Sequence, residues 1–380
     1  MKTQTVYFPN LNGLRFIAAF LVIVHHLEQI KSLLDLPNNY NSTNSIHNII
    51  GPLGVILFFV LSGYLITYLL LVEEKRTKTI SIKNFYIRRL LRIWPLYYFI
   101  IFLAFFILNN IPFFDLPPLT ENINNNFFFC LILSILFLPN VLLFGFNQVT
   151  PYASHTWSIG VEEQFYIIWP ILMKFAKNKK ILLYTIIISY LTIKLILFPT
   201  LKYFENWNHI LEKFSNIWNY FSIDCMAIGG LFAIWLYEKN KVIKLLLNPI
   251  LGWIILLITG ILIFFCVYIP YIHFEFYAIL FAILILNFSA LEKPMLNLEN
   301  KYLNYLGKIS YGLYMYHTIA IVITVKLLFK YDIINYSIQL ILSTLLTIVF
   351  ASLSYHFIEL KFIKLKTKFS TIISGDNAQK

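Results

Sequence analysis

The chain has 380 residues, 59% of them hydrophobic and only 13% charged, with a formal net charge of +12. Its mean hydropathy of +0.72 excludes an ordinary soluble domain, in which about a quarter of the residues are charged. The basic surplus fits anchoring at an anionic leaflet and does not call for nucleic acid. Cys130, Cys225 and Cys266 are scattered and odd in number, so neither a disulfide framework nor a metal site is expected.

Apolar runs of about 20 residues, enough to cross a bilayer as helices, recur at 11 to 31, 50 to 72, 92 to 110, 157 to 176, 181 to 199, 215 to 237, 245 to 266, 271 to 290, 304 to 329 and 335 to 358. They predict ten spans. A further stretch, 127 to 144, is interrupted by Pro139 and Asn140 and followed by Gly145, and reads as a re-entrant or interfacial segment. Lys75, Arg76, Lys78, Lys83, Arg88, Arg89 and Arg92 crowd residues 73 to 92, with further basic clusters at 174 to 180, 239 to 244, 293 to 308 and 361 to 368. Basic residues gather in cytoplasmic loops, and an even number of crossings with both termini in the cytoplasm puts every cluster inside. The expected fold is therefore an all-α polytopic membrane bundle of about ten transmembrane helices. One domain spans residues 1–360, followed by a basic cytoplasmic tail, 361–380. The first run is too long for a signal peptide and is expected to stay as an anchor.

Polar residues within the spans carry the functional signal, because ionisable groups at membrane depth face a bundle interior or a wet cavity. In span one, Arg15 and His26 are eleven residues apart, about 20° from a whole number of helical turns, whereas His25 is about 80° off. Arg15 and His26 thus share a face, about 16 Å apart along the axis. Glu162 and Glu163 open span four from the outer side, near the depth of His26, where carboxylate and imidazole could meet and prepare general base chemistry. Glu162 is favoured and Glu163 left open. Arg88, Arg89 and Arg92, at the cytoplasmic entry to span three, suit a phosphorylated ligand, although positive-inside anchoring explains them equally well. Ser62 and Gly63 allow close approach of a helix or ligand. Tyr311, Tyr314 and His317 recur at three-residue steps along span nine, and with Ser310 they form a candidate polar pocket. Asp224 in span six has no evident partner.

The ordered segments "LNGLRFIAAFLVIVHH", "LFFVLSGYLI", "FYIRRLLRIWP", "HTWSIGVEEQFYIIWP", "KISYGLYMYH" and "LSYHFIEL" resemble the acyltransferase-3 family of integral membrane acyltransferases, which includes bacterial O-antigen and exopolysaccharide O-acetylases. The family's arginine and histidine fall on Arg15 and His26, its basic motif on Arg88, Arg89, Arg92 and Pro95, and its tryptophan-serine motif on Trp157, Ser158, Glu162, Gln164, Phe165 and Tyr166. Asn12 and Ile56 depart from positions where the family often has aspartate, and Leu360 and Lys361 from its usual basic-proline ending.

The resemblance implies transfer of an acyl group, most often acetyl from acetyl-CoA, to a hydroxyl of a cell-surface glycan, lipopolysaccharide or glycolipid at the bacterial cytoplasmic (inner) membrane. Arg88, Arg89 and Arg92 would hold the acyl-CoA phosphates. His26, Arg15 and Glu162 would carry the chemistry, with His26 acting as base or carrying the acyl group itself. Trp157, Ser158, Gln164, Ser310, Tyr311 and His317 would line the substrate site. A proton-coupled transporter or a lipid or glycan flippase is the alternative; it predicts an inverted internal repeat, which the sequence does not display.

Overall fold

A computed structural model describes residues 4–40, 42, 45–203, 209–291, 293, 295–370 and 372–374. As expected, it is a helical bundle. Among the described residues ten long rods follow the expected spans: α1 (Leu11–Leu33), α2 (Ile46–Thr77), α3 (Ile82–Asn110), α4 (Trp157–Phe175), α5 (Lys179–Tyr203), α6 (His209–Tyr237), α7 (Pro249–Phe264), α8 (His273–Ser289), α9 (Ser310–Phe329) and α10 (Tyr336–Phe369). Seven are both long and apolar enough to cross a membrane on those criteria alone. The other three fall short for physical reasons. α7 and α8 are apolar but have 16 and 17 residues, about 25 Å of helix against a hydrocarbon core of about 30 Å. α4 is long enough, but Ser158, Glu162, Glu163 and Gln164 dilute its hydropathy while Ile167, Ile168, Ile171 and Phe175 stay exposed on another face.

Several boundaries differ from the sequence expectation by five residues or more, and the starts of α3 and of span nine bear most on the polar residues. α3 begins ten residues early, because the Ser81 hydroxyl caps it by accepting from the Asn84 amide at 3.4 Å. Arg88, Arg89 and Arg92 therefore lie on a helix, not in a loop. Span nine was expected from residue 304, but Lys301–Lys308 forms a separate short helix and the long rod starts at Ser310.

The interrupted stretch is a re-entrant hairpin of two short helices, Phe127–Ile135 and Pro139–Phe146. It descends along α3, where Tyr97 and Tyr98 donate to the Ser134 and Ile135 carbonyls at 2.7 and 3.1 Å. It returns along α4, where the Gln164 amide donates to the Phe137 carbonyl and Asn140 Oδ1, both at 2.9 Å. Its ends pack on Phe105 and Trp157, near the far end of α3 and the start of α4, so both return to one side.

The tail is not an appendage. α10 runs through residue 360 without a break, and the strand β2 (Ile372–Ser374) pairs in parallel with β1 (Gln4–Val6). The rest of the expected tail, 375–380, lies outside the described residues.

α2 is the rod around which α1, α6 and α8 assemble. A Cβ on Gly63 would lie 1.9 Å from the Met226 carbonyl oxygen, and one on Gly229 2.2 Å from that of Val60. α2 and α6 are thus in backbone contact, which only glycine permits. Gly63→Ala is expected to cost about 1–3 kcal/mol through overpacking, read as a lower thermal midpoint of the detergent-purified protein. Gly260→Ala, inside α7 with nothing within 4 Å of its new methyl, should not lower the midpoint.

Candidate active site

Two cavities of opposite chemistry lie along the bundle. The first, of about 220 Å³, is at the end where the basic residues gather, and four cations line it, Arg15, Arg89, Arg92 and Lys366. Among the described residues Glu162 is its one lining carboxylate. Glu162 is held by two hydroxyls: Ser62 of α2 donates to Oε1 at 2.8 Å and Tyr166, one turn further along α4, to Oε2 at 3.0 Å. The Arg89 guanidinium lies 5.4 Å from the Tyr166 ring centre and 5.6 Å from that of Phe85, a cation–π position. Arg92 lies 4.0 Å from Glu359 of α10. Arg15 donates to Asn12 Oδ1 at 3.0 Å, so the neutral residue at this position still orients the guanidinium. Ile56, the other departure, is buried in the core.

The second cavity, of about 500 Å³, opens between α1, α2, α4, α6, α9 and the re-entrant hairpin. No Asp, Glu, Lys or Arg lines it among the described residues. Its wall is aromatic: Phe144 and Tyr220 stack face to face at 3.9 Å, and Trp157 meets both edge-on at 5.1 and 5.8 Å. Gln29, Asn48 and Asn147 supply amides.

His26 lines this second cavity as part of an imidazole cluster. Its ring centre is 4.7 Å from that of His317 and 6.5 Å from that of His155, which are 4.8 Å from each other. The Val22 carbonyl, 2.9 Å from His26 Nδ1, can only accept, so Nδ1 carries the proton and the neutral ring keeps its lone pair on Nε2. The Tyr314 carbonyl fixes His317 the same way at 2.6 Å, and His317 Nε2 is buried without a hydrogen-bond partner. No metal-binding group of three His, Cys, Asp or Glu is found among the described residues.

Tyr314 and Val55 line both cavities. The Tyr314 hydroxyl donates to the His155 carbonyl at 2.7 Å and lies 2.7 Å from Ser158 Oγ. Because its one proton goes to the carbonyl, Ser158 is the donor in that contact. The two cavities thus share Tyr314 and Val55, while Ser158 faces the cationic one.

The candidate residues are therefore distributed, not gathered at one point. Arg15, Arg89, Arg92, Glu162, Ser158, Ser310 and Tyr311 line the basic cavity, and His26 and Trp157 the aromatic one. The expected meeting of Glu162 with His26 does not occur: Glu162 is engaged by Ser62 and Tyr166, while the rings around His26 are those of His25, His155 and His317. Arg88 points elsewhere, donating to the Phe369 carbonyl at 2.9 Å and to Glu73 at 3.0 Å. Gln164 holds the re-entrant hairpin and lines neither cavity. Glu163 accepts from the Trp94 indole at 3.1 Å, a structural contact. His25 has its ring against Gly51 of α2, though it also reaches the edge of the aromatic cavity. Sequence reasoning missed His155, which sits in a short turn, Ser154–Thr156, where helical periodicity has no purchase. It also missed Lys366, one cation in a basic tail.

A membrane-embedded helix bundle with a cationic cavity backed onto an uncharged aromatic one is the class that this fold and site define. Residues 8–356 match the family model described as "Acyltransferase domain", and the chain belongs to that acyltransferase-3 family. It is 29% identical over 378 residues to "Peptidoglycan O-acetyltransferase OatA" of Listeria monocytogenes, covering 93% of this chain and 55% of the relative. It is 33% identical over 175 residues to "Putative peptidoglycan O-acetyltransferase YrhL" of Bacillus subtilis, covering 44% of this chain and 24% of the relative. It is 29% identical over 383 residues to a Staphylococcus aureus protein named "Putative O-acetyltransferase SACOL0978", covering 94% and 58%. The chain thus spans little more than half the length of the curated relatives that it matches end to end. No solved structure matches it.

The arginines separate by experiment. Arg88→Gln leaves the buried Glu73 carboxylate, 3% exposed, without its cation, and should cost about 1–3 kcal/mol. Arg92→Gln, whose contact with Glu359 is 4.0 Å and whose side chain is 25% exposed, should cost less. Thermal midpoints of the two purified variants give the comparison.

Proposed function

We propose that this chain is an O-acyltransferase that takes an acyl group, acetyl above all, from acyl-coenzyme A in the cationic cavity and passes it to a hydroxyl of a cell-surface glycan in the aromatic one. The observation that carries this reading is a pair of cavities that share Tyr314 and Val55 in their lining, with Ser158 on the cationic side and His26 on the aromatic side. Arginine matches phosphate geometry, and Arg15, Arg89 and Arg92 line a space of about 220 Å³. An aromatic wall with amides and no formal charge suits the apolar faces and hydroxyls of a sugar. The peptidoglycan in the names of two relatives makes a cell-wall glycan the first acceptor to test.

In the chemistry that follows, His26 Nε2 takes the proton from the acceptor hydroxyl as its oxygen attacks the thioester carbonyl. The carbon–sulfur bond then breaks, the thiolate takes up the proton that His26 had received so that coenzyme A leaves as the thiol, and the ester remains on the glycan. Arg15 stabilises negative charge on the donor side. His155 and His317, adjacent to His26, offer the proton an onward route. Basic residues gather in cytoplasmic loops, which supports a donor cavity open to the inside and an acceptor that approaches from outside. A reporter fused after residue 370 is expected to read as cytoplasmic.

Purified protein given acetyl-coenzyme A and cell-wall glycan should release free thiol in step with acetylated sugar; a transporter or flippase would release none. His26→Ala should lower the rate by about 100-fold or more, the lower bound for losing a general base. His25→Ala should keep the greater part of it, since its ring is committed to the α2 contact. A dead His25 variant beside an active His26 variant would overturn the assignment.

A further inference from the structure

α10 continues past the contact between Glu359 and Arg92 and closes one side of the cationic cavity. Ile363 and Lys366 line that cavity. One turn on, Arg88 donates to the Phe369 carbonyl at 2.9 Å, and beyond it β2 pairs with β1. The segment is thus fastened at three points: to Arg92, to Arg88 and to the amino-terminal strand. It also borders a second, smaller space of about 40 Å³, lined by Glu73, Arg88, Arg89, Lys366 and Ser370 among others. Arg89 and Lys366 line both spaces, so the two adjoin with a cation on either side. A phosphate at that junction would meet a planar guanidinium from α3 and an ammonium, a mobile point charge, from α10.

We infer that the carboxy-terminal extension of α10 is a wall of the donor site and that Lys366 is a phosphate-binding residue, selecting donors that carry phosphates over the same thiol without them. The inference rests on the donor reading above and adds to it a residue outside the family motifs. The extension brings charge into a cavity whose other cations sit on α1 and α3. Its three fastenings hold the Lys366 backbone in place before the ligand arrives, which lowers the ordering cost of binding.

The test is equilibrium binding to the full-length purified protein, with coenzyme A and, separately, pantetheine, which shares the thiol arm and lacks the phosphates. Lys366→Met should weaken coenzyme A binding about tenfold, the loss of one charge-assisted hydrogen bond. Lys366→Glu should weaken it further, and Lys366→Arg should stay near wild type. Pantetheine affinity should not change across the series. Wild-type coenzyme A affinity in the Met and Glu variants would overturn the inference, as would a parallel loss of pantetheine, which would mark Lys366 as a packing residue. Should the Glu variant not fold, the Met and Arg variants decide the matter. A wild-type protein that binds pantetheine but gains nothing from the phosphates would overturn the donor reading itself, and this inference with it.

Discussion

Helices in lipid gain little from burying apolar surface against one another, so their association depends on close packing and polar contacts. In this protein that constraint is met along α2. Gly54 brings α2 to the Ala18 carbonyl of α1, where an added Cβ would stand 2.7 Å from the oxygen, and Gly63 brings it against α6. Gly51 receives the His25 ring, whose nearest atom would be 2.3 Å from such a Cβ. These contacts fix the rotation of α1. With His25 seated against Gly51, its neighbour His26 is turned towards His317 and the aromatic cavity, and Arg15, on the same face nearer the amino terminus, towards the cationic one.

Once α1 and α2 are locked, the remaining side of α2 becomes the wall of both cavities. Val55 borders each, and Ser62 reaches Glu162. Charges on the surrounding helices are then stabilised pairwise: Arg88 by Glu73, Arg92 by Glu359, Glu162 by two hydroxyls. Pairing of this kind is what intramembrane ionisable groups require. The cationic cavity nevertheless keeps more arginine and lysine than carboxylate in its lining. The aromatic cavity has no formal charge in its described lining at all. The boundary between such different surroundings includes Tyr314 and Val55, which face both.

Much of this was legible in the sequence, and the failures share one cause. The spans, the re-entrant break at Pro139 and the common face of Arg15 and His26 follow from composition and from the period of a single helix. Contacts between helices do not. Glu162 and His26 look level when depth is counted from the loops, but their meeting depends on how α4 is rotated against its neighbours, and Ser62 of α2 holds Glu162 away from His26. The three arginines look equivalent until Glu73, fifteen residues before Arg88, turns out to be its partner. Gln164 belongs to the acyltransferase motif, yet its hydrogen bonds go to a hairpin whose path no local pattern encodes. Lys366 was invisible because a basic tail reads as solvated until a strand at the other end of the chain is seen to pair with it.

Asp224, which sequence gave no reason for, shows how far such a contact can reach. α6 is broken at Ser222, where the backbone is left-handed with φ 38°, and Ile223 starts a new helix with Asp224 in its first turn. Asp224 is fully buried beside the ion pair between Lys194 of α5 and Glu275 of α8, so three helices converge on the break. Lys194 itself lies in a widened turn, Ile193–Leu197, the kind of helix irregularity that tends to occur where function requires it. Just ahead of the break, Tyr220 leaves α6 to stack on Phe144 and also packs against Phe274, the neighbour of Glu275. An unbroken α6 would carry Tyr220 round to a different face and open the aromatic wall. Tyr220, immediately before the break, thus owes its place in the aromatic wall to the turn at Ser222.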